Sequence, residues 1–175
     1  MWSKIQGVFV TDPFPAFEEP PTDLAVAATI GVAVVDHGSR REASNRMLEQ
    51  FVEQFSRKSP YEIIEPAHME LAEPSIATAF DRCVQRGARQ VVVIPYFLLP
   101  GRHWEQDIPE LTRSAASRHP GVEYLVGAPI GLHPMMQEVI AARLDHCLAH
   151  AAGLAPECES CAGTGRCVMR LAGEE

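Results

Sequence analysis

The chain has 175 residues, 46% of them hydrophobic and 22% charged, an ordinary globular composition for one domain with an appendage. Its formal net charge of −8 argues against a general binder of nucleic acid or anionic membrane, whose electrostatic footprint is basic. No apolar run reaches the ~18 residues of a membrane span, and a chain this long buries enough surface to fold without a disulfide framework.

Residues 1–29 carry acids at Asp12, Glu18, Glu19 and Asp23 against the single base Lys4. That is neither the basic start and apolar core of a signal peptide nor the Arg-rich, acid-poor pattern of a transit peptide. The proline-rich stretch DPFPAFEEPPTD reads as an extended arm, with Val8, Phe9, Phe14 and Phe17 as apolar anchors for a neighbour. From residue 30 the pattern alternates. TIGVAVVDH is a compact, β-branched run that predicts a buried strand. Met47, Leu48, Phe51, Val52 and Phe55 recur at helical spacing over roughly residues 41–57, with Ser39 and Glu42 spaced as a capping box. YEIIEPAHME reads as a second strand. A helix follows Pro74, carries Ile76, Ala79, Phe80, Cys83 and Val84 on one face, and ends at Gly87. Cys83 reads as a small buried hydrophobe.

QVVVIPYFLL is the strongest strand. Asp107, Pro109 and Glu110 then mark another helix start, with Asp107 as its N-cap. VEYLVGAP is the fourth strand. A last helix runs from His133 to about Ala152, with Met136, Val139, Ile140, Leu144, Cys147 and Leu148 on its apolar side. The alternation predicts an α/β fold: a four-stranded parallel sheet with helices on both faces over residues 30–152, followed by an irregular Cys-rich tail at 153–175.

In such sheets a ligand sits beyond the carboxyl ends of the strands. Strand one ends in Asp36-His37-Gly38-Ser39-Arg40-Arg41, strand two in Ala67-His68-Met69-Glu70, and strand three in Leu99-Pro100-Gly101-Arg102-His103-Trp104. His37, Glu70 and His103 are therefore expected to converge on one rim. Two imidazoles and a carboxylate suit a divalent first-row metal and equally suit proton transfer. Arg40, Arg41 and Arg102 supply fixed positive charge for carboxylates, and Gly38 lets a ligand approach the backbone. His68 reads as structural. His119, His146 and His150 read as solvent-exposed, and His133 as opening the last helix. Phe97, Leu98, Leu99 and Trp104 offer an apolar face.

Four of the five cysteines (Cys147, Cys158, Cys161 and Cys167) lie in the last 29 residues. A C-x-x-C pair with two further thiols nearby suffices for tetrahedral zinc or an iron–sulfur cluster, and the spacing does not separate the two. Gly163 and Gly165 allow the chain to turn tightly there. CESCAGTG also fits the pattern of DnaJ-type zinc modules, but those need two such pairs for each zinc and only one is present.

VDHGSRREASN, PAHMELAEPSI, VVVIPYFLLPGRHWEQDIPEL and GAPIGLHPMM resemble the short, single-domain sirohydrochlorin chelatases of the CbiX/SirB type, over about residues 31–150. The resemblance implies a flavodoxin-like half-unit and insertion of a divalent metal into sirohydrochlorin, giving sirohaem when the metal is iron. It implies His37 and His103 as catalytic and metal-binding histidines, Glu70 as their assistant, and Ser39, Arg40, Arg41 and Arg102 as substrate-binding residues. It also implies a homodimer whose partner walls the pocket. HCLAH and ECESCAGTGRC are similar to the C-terminal extension of plant and algal sirohydrochlorin ferrochelatases. This implies a [2Fe-2S] cluster on Cys147, Cys158, Cys161 and Cys167, iron (Fe2+) as substrate metal, and the chloroplast stroma as location, with the targeting segment missing from this chain or unconventional. Two alternatives stand beside this: a cobaltochelatase with the same pocket, and a non-catalytic metal or tetrapyrrole carrier.

Overall fold

A strand covered on both faces reads as an unbroken apolar run, and IGVAVVD forms the central strand β1 (Ile30–Asp36). In the computed structural model, which describes Ala27, residues 29–165 and residues 167–169, β1 lies between β2 (Ile63–His68) and β3 (Gln90–Pro95), with β4 (Glu123–Val126) at the far edge. All three pairings are parallel, as expected. The arm's Val8, Phe9, Phe14 and Phe17 lie outside the described residues.

Parallel neighbours need crossovers, and right-handed crossovers that run in opposite directions along the sheet, from β1 to β2 and then from β2 back past β1 to β3, place their helices on opposite faces. Helix α1 (Glu42–Ser56) accordingly buries Leu48 and Val52 against Val32, Val34 and Ile64 on one face. On the other face, α2 (Ile76–Gln85) and α3 (Ile108–Ala116) bury Ile76, Phe80 and Ile108 with Ala33, Val35, Val91 and Val93. The period-two alternation of β1 sorts its residues between these two clusters. Cys83 is fully buried, and burial pushes its thiol up to about 12.

Two predicted caps do not form. Arg41, not Ser39, precedes α1, and it offers no side-chain cap. Asn45 clasps the Ser39 backbone through both N–H and C=O at 2.9 Å, which holds Ser39 outside the helix, while Glu42 turns to Arg46. Asp107 caps nothing because the helix begins a turn earlier: a π-helical turn over His103–Asp107 runs directly into α3. At α2, by contrast, Ser75 Oγ accepts from the Thr78 N–H at 3.3 Å.

The described chain packs as two compact units, one ending at Gly131 and one beginning at Leu132. The second holds α4 (Met135–Ala151) and the cysteine-rich turn. The His133 ring accepts from the Met135 N–H at 3.3 Å, so it does open this helix. Among the described residues no helix is long and apolar enough to cross a membrane.

Candidate functional site

The register pairs Asp36 with His68, so β1 and β2 end level. Their ladder continues past the strands: Met69 N–H donates to Asp36 O at 2.8 Å, and Glu70 N–H to His37 O at 3.1 Å. Gly38 follows at φ +83, where a Cβ would stand 2.0 Å from the Glu70 carbonyl oxygen. Only glycine fits that approach. It sets His37 beside Glu70, with Nε2 and Oε1 2.9 Å apart.

His103 arrives from the π-helical turn after β3. Its ring centroid is 5.2 Å from that of His37, at 71°. Asp107 Oδ2 accepts from His103 Nδ1 at 2.8 Å, which fixes the ring and leaves Nε2 as the outward nitrogen. Arg102 Nε lies 3.8 Å from the other oxygen of Asp107. The structure thus brings together the three residues expected at the rim. A cavity of about 560 Å³ opens there, lined by Met69, Glu70, Arg102, His103 and Asp107 among others. His37, Glu70 and His103 are each close to half exposed. His37 and Glu70 are bonded to each other, and among the described residues no three His, Cys, Asp or Glu side chains surround a metal-sized point.

Arg40 and Arg41 are exposed on the loop after His37, where the Ser39 hydroxyl accepts from the Arg41 N–H at 3.0 Å. Leu98 and Leu99 are exposed, at 60% and 67%. Phe97 packs against the core, and Trp104 Nε1 donates to Gly127 O at 2.9 Å. The indole therefore tethers the π-helical turn to the end of β4.

Sequence reasoning missed the supporting carboxylates. Asp107 stands four residues after His103, a spacing that signals a pair, and Asp36 directly precedes His37. Oδ1 of Asp36 accepts from Gly38 N–H at 2.9 Å and from His68 Nδ1 at 2.6 Å. His68 is fully buried, and its Nε2 has no hydrogen-bond partner among the described residues, an arrangement that costs about 1–3 kcal/mol. His119 is not the solvent-exposed residue expected: Nε2 bonds Asp81 at 2.6 Å and the ring stacks on Phe80, because the end of α3 packs over α2. His146 and His150 are also engaged, donating to the carbonyls of Pro156 and Ala155 at 3.1 and 2.9 Å. They hold the cysteine-bearing turn to α4.

In that turn the thiols run as a chain of contacts. All four are free thiols; Cys161 is hydrogen-bonded to Cys158 and to Cys167, and Cys167 to Cys147. Backbone N–H groups of Ser160 and Cys161 pull the Cys158 thiol below its usual range. Contact with Cys158 raises Cys161, and contact with Cys147 pushes Cys167 up to about 11. Gly163 and Gly165 turn in the left-handed region, at φ +72 and +60. Four thiols are the donor chemistry that a zinc ion or an iron–sulfur cluster takes, although among the described residues they run as a chain and do not close around a metal-sized point.

Comparison with known proteins gives a consistent family. The CbiX family model matches residues 31–147. The chain is 57% identical over 139 residues to the chloroplastic sirohydrochlorin ferrochelatase of Arabidopsis thaliana, covering 79% of this chain and 62% of that protein. Among solved structures, the sirohydrochlorin chelatase SirB of Bacillus subtilis subspecies spizizenii in complex with cobalt superposes with a TM-score of 0.64 at 32% identity, over 67% of this chain and 50% of that one. A CbiX protein from Marinobacter aquaeolei VT8 superposes with a TM-score of 0.60 at 30% identity, over 69% of this chain and 98% of that one. The chain thus spans less than two-thirds of the Arabidopsis relative's length.

Proposed function

The chain belongs to the CbiX family, and from that premise we propose that its rim inserts ferrous iron into sirohydrochlorin to make sirohaem. The observation that carries the reading is the pairing of His37 and His103 at 5.2 Å between ring centroids, with the Glu70 carboxylate 2.9 Å from His37.

Insertion requires two macrocycle N–H protons to leave as the metal enters, so bases must stand near the ring centre. His37 and His103 take those protons and hand over the substrate iron, with Glu70 as the third donor. Open, imidazole-rich coordination releases a metal more readily than a closed thiolate cage. Asp107 keeps His103 aimed outward. Arg40, Arg41 and Arg102, with Ser39, take the substrate's carboxylates, so the field at the rim is positive on an acidic chain. Leu98 and Leu99 offer the ring an apolar surface. Because the rim is open, a second copy of the chain supplies the opposite wall, and the working species is a homodimer. The resemblance to a chloroplastic relative supports the plastid as location.

The tail's four thiols support a [2Fe-2S] cluster held by Cys147, Cys158, Cys161 and Cys167, which when bound supplies a one-electron redox centre. The tail carries none of the rim's proton acceptors, so the cluster is structural or redox-regulatory rather than part of insertion. Anaerobically purified protein is expected to be brown, with matched iron and acid-labile sulfide. Replacing Cys158 and Cys161 together by serine removes the colour while insertion persists without oxygen. Clear, zinc-containing protein contradicts the cluster, and lost insertion in a folded double variant contradicts its separate role.

The chelatase reading is tested by incubating the full chain anaerobically with sirohydrochlorin and Fe2+, then with Co2+, and following the change in visible absorption. Multiple turnovers that are faster with iron support it. Faster turnover with cobalt makes it a cobaltochelatase, and binding of sirohydrochlorin without turnover makes it a carrier.

A further inference from the structure

We propose that the buried Asp36–His68 pair positions the rim for metal insertion, an inference that rests on the chelatase reading and assigns a role to two residues which never touch substrate. His68 closes β2 opposite Asp36, the last residue of β1. It is 0% exposed beside the apolar Ala67 and Met69. Packing does not ask for an imidazole there, since phenylalanine fills similar space without a polar nitrogen. Yet Nε2 is buried with no hydrogen-bond partner among the described residues. An unpaired buried nitrogen points to the other one, Nδ1, as the reason the residue is histidine.

Nδ1 donates to Asp36 Oδ1 at 2.6 Å, and the same oxygen accepts the Gly38 N–H at 2.9 Å. His68 therefore fixes the carboxylate that fixes the turn. That turn has no slack, because Gly38 sits against the Glu70 carbonyl and the Glu70 N–H bonds His37 O at 3.1 Å. The chain of contacts runs from the His68 ring through Asp36 and the Gly38 amide to the two residues that face each other at the rim. Without Nδ1, the Gly38 N–H is the one partner left to Asp36 Oδ1 among the described residues, and the turn keeps its backbone ladder to the residues after β2 but loses the side-chain tie that sets its angle.

The test is anaerobic steady-state insertion of Fe2+ into sirohydrochlorin by the full chain and three variants, with circular dichroism to confirm folding. His68→Phe keeps the volume and loses both nitrogens. His68→Asn places an amide N–H where Nδ1 stands, and His68→Gln places it further out. His68→Phe is expected to lower kcat by about 10- to 100-fold, the effect of displacing a reacting group by roughly 1 Å, while KM for sirohydrochlorin stays within about twofold. His68→Asn is expected to restore most of kcat and His68→Gln to restore little. Wild-type kcat in folded His68→Phe, a loss confined to KM, or equal behaviour of the Asn and Gln variants overturns the positioning role. If His68→Phe does not fold, the Asn and Gln pair decides the same point. A wild-type chain with no turnover overturns the chelatase reading and this inference with it, whereas wild-type turnover with unimpaired His68→Phe overturns this inference alone.

Discussion

Replacing Gly38 by alanine puts a Cβ 2.0 Å from the Glu70 carbonyl oxygen at a φ of +83, a position where a side chain costs about 1–3 kcal/mol before the clash is counted. Gly38→Ala is expected to lower the melting temperature and reduce insertion at least ~10-fold, because the turn must open and carry His37 away from Glu70. An unchanged melting temperature and rate contradict that geometry. Asp107 works differently. Its carboxylate, 2.8 Å from His103 Nδ1, orients the imidazole without supporting the core, so Asp107→Ala leaves the fold intact and lowers kcat by about 10- to 100-fold. A fully active Asp107→Ala chain contradicts the assignment of His103 Nε2 as the working nitrogen.

At the scale of elements, α2 and α3 are clamped by Asp81. Partial burial pushes the Asp81 carboxyl up, but hydrogen bonds from His119 and Arg118 and their charge outweigh it and leave it below its usual value. A carboxyl lowered in the folded state contributes stability above its unfolded pKa of about 3.9 and loses it as pH falls through the folded value. Asp81→Asn is therefore expected to cost about 1 kcal/mol at pH 7, a modest figure for a partly exposed cluster, and the cost shrinks towards zero below about pH 4. Urea unfolding at both pH values checks this, and a cost independent of pH contradicts it. The elements themselves were legible because the β-branched run of β1 and the 3.6-residue spacing of Leu48 and Val52 are dictated by burial on both sides of a sheet. His37, Glu70 and His103 were legible for a related reason: level strand ends force the following residues together. The starts of α1 and α3 were not. Asp107 before Pro109 has the chemistry of a cap, and only the π-helical turn preceding it, held by Trp104 to Gly127 O, makes the carboxylate a partner of His103. His68 and Asp36 also escaped, because their pairing depends on a register that no single stretch of sequence contains.

The whole molecule couples an acidic surface, with a formal charge of −8, to a rim flanked by Arg40, Arg41 and Arg102. Attraction for a polycarboxylate ring is therefore local, and salt is expected to weaken sirohydrochlorin binding although the net charge repels it. Cys147, Cys158, Cys161 and Cys167 belong to the compact unit that begins at Leu132, whereas the rim residues all precede it in the chain. On the proposed division of roles, loss of the thiols and loss of the imidazoles are expected to have separate consequences. The central claim is that two imidazoles at one strand-end rim perform the insertion. The most direct test is the anaerobic single-turnover rate of Fe2+ insertion by the His37→Ala, His103→Ala double variant beside wild type. The account predicts a folded protein that still binds sirohydrochlorin and inserts no iron. A double variant that inserts iron at the wild-type rate contradicts it.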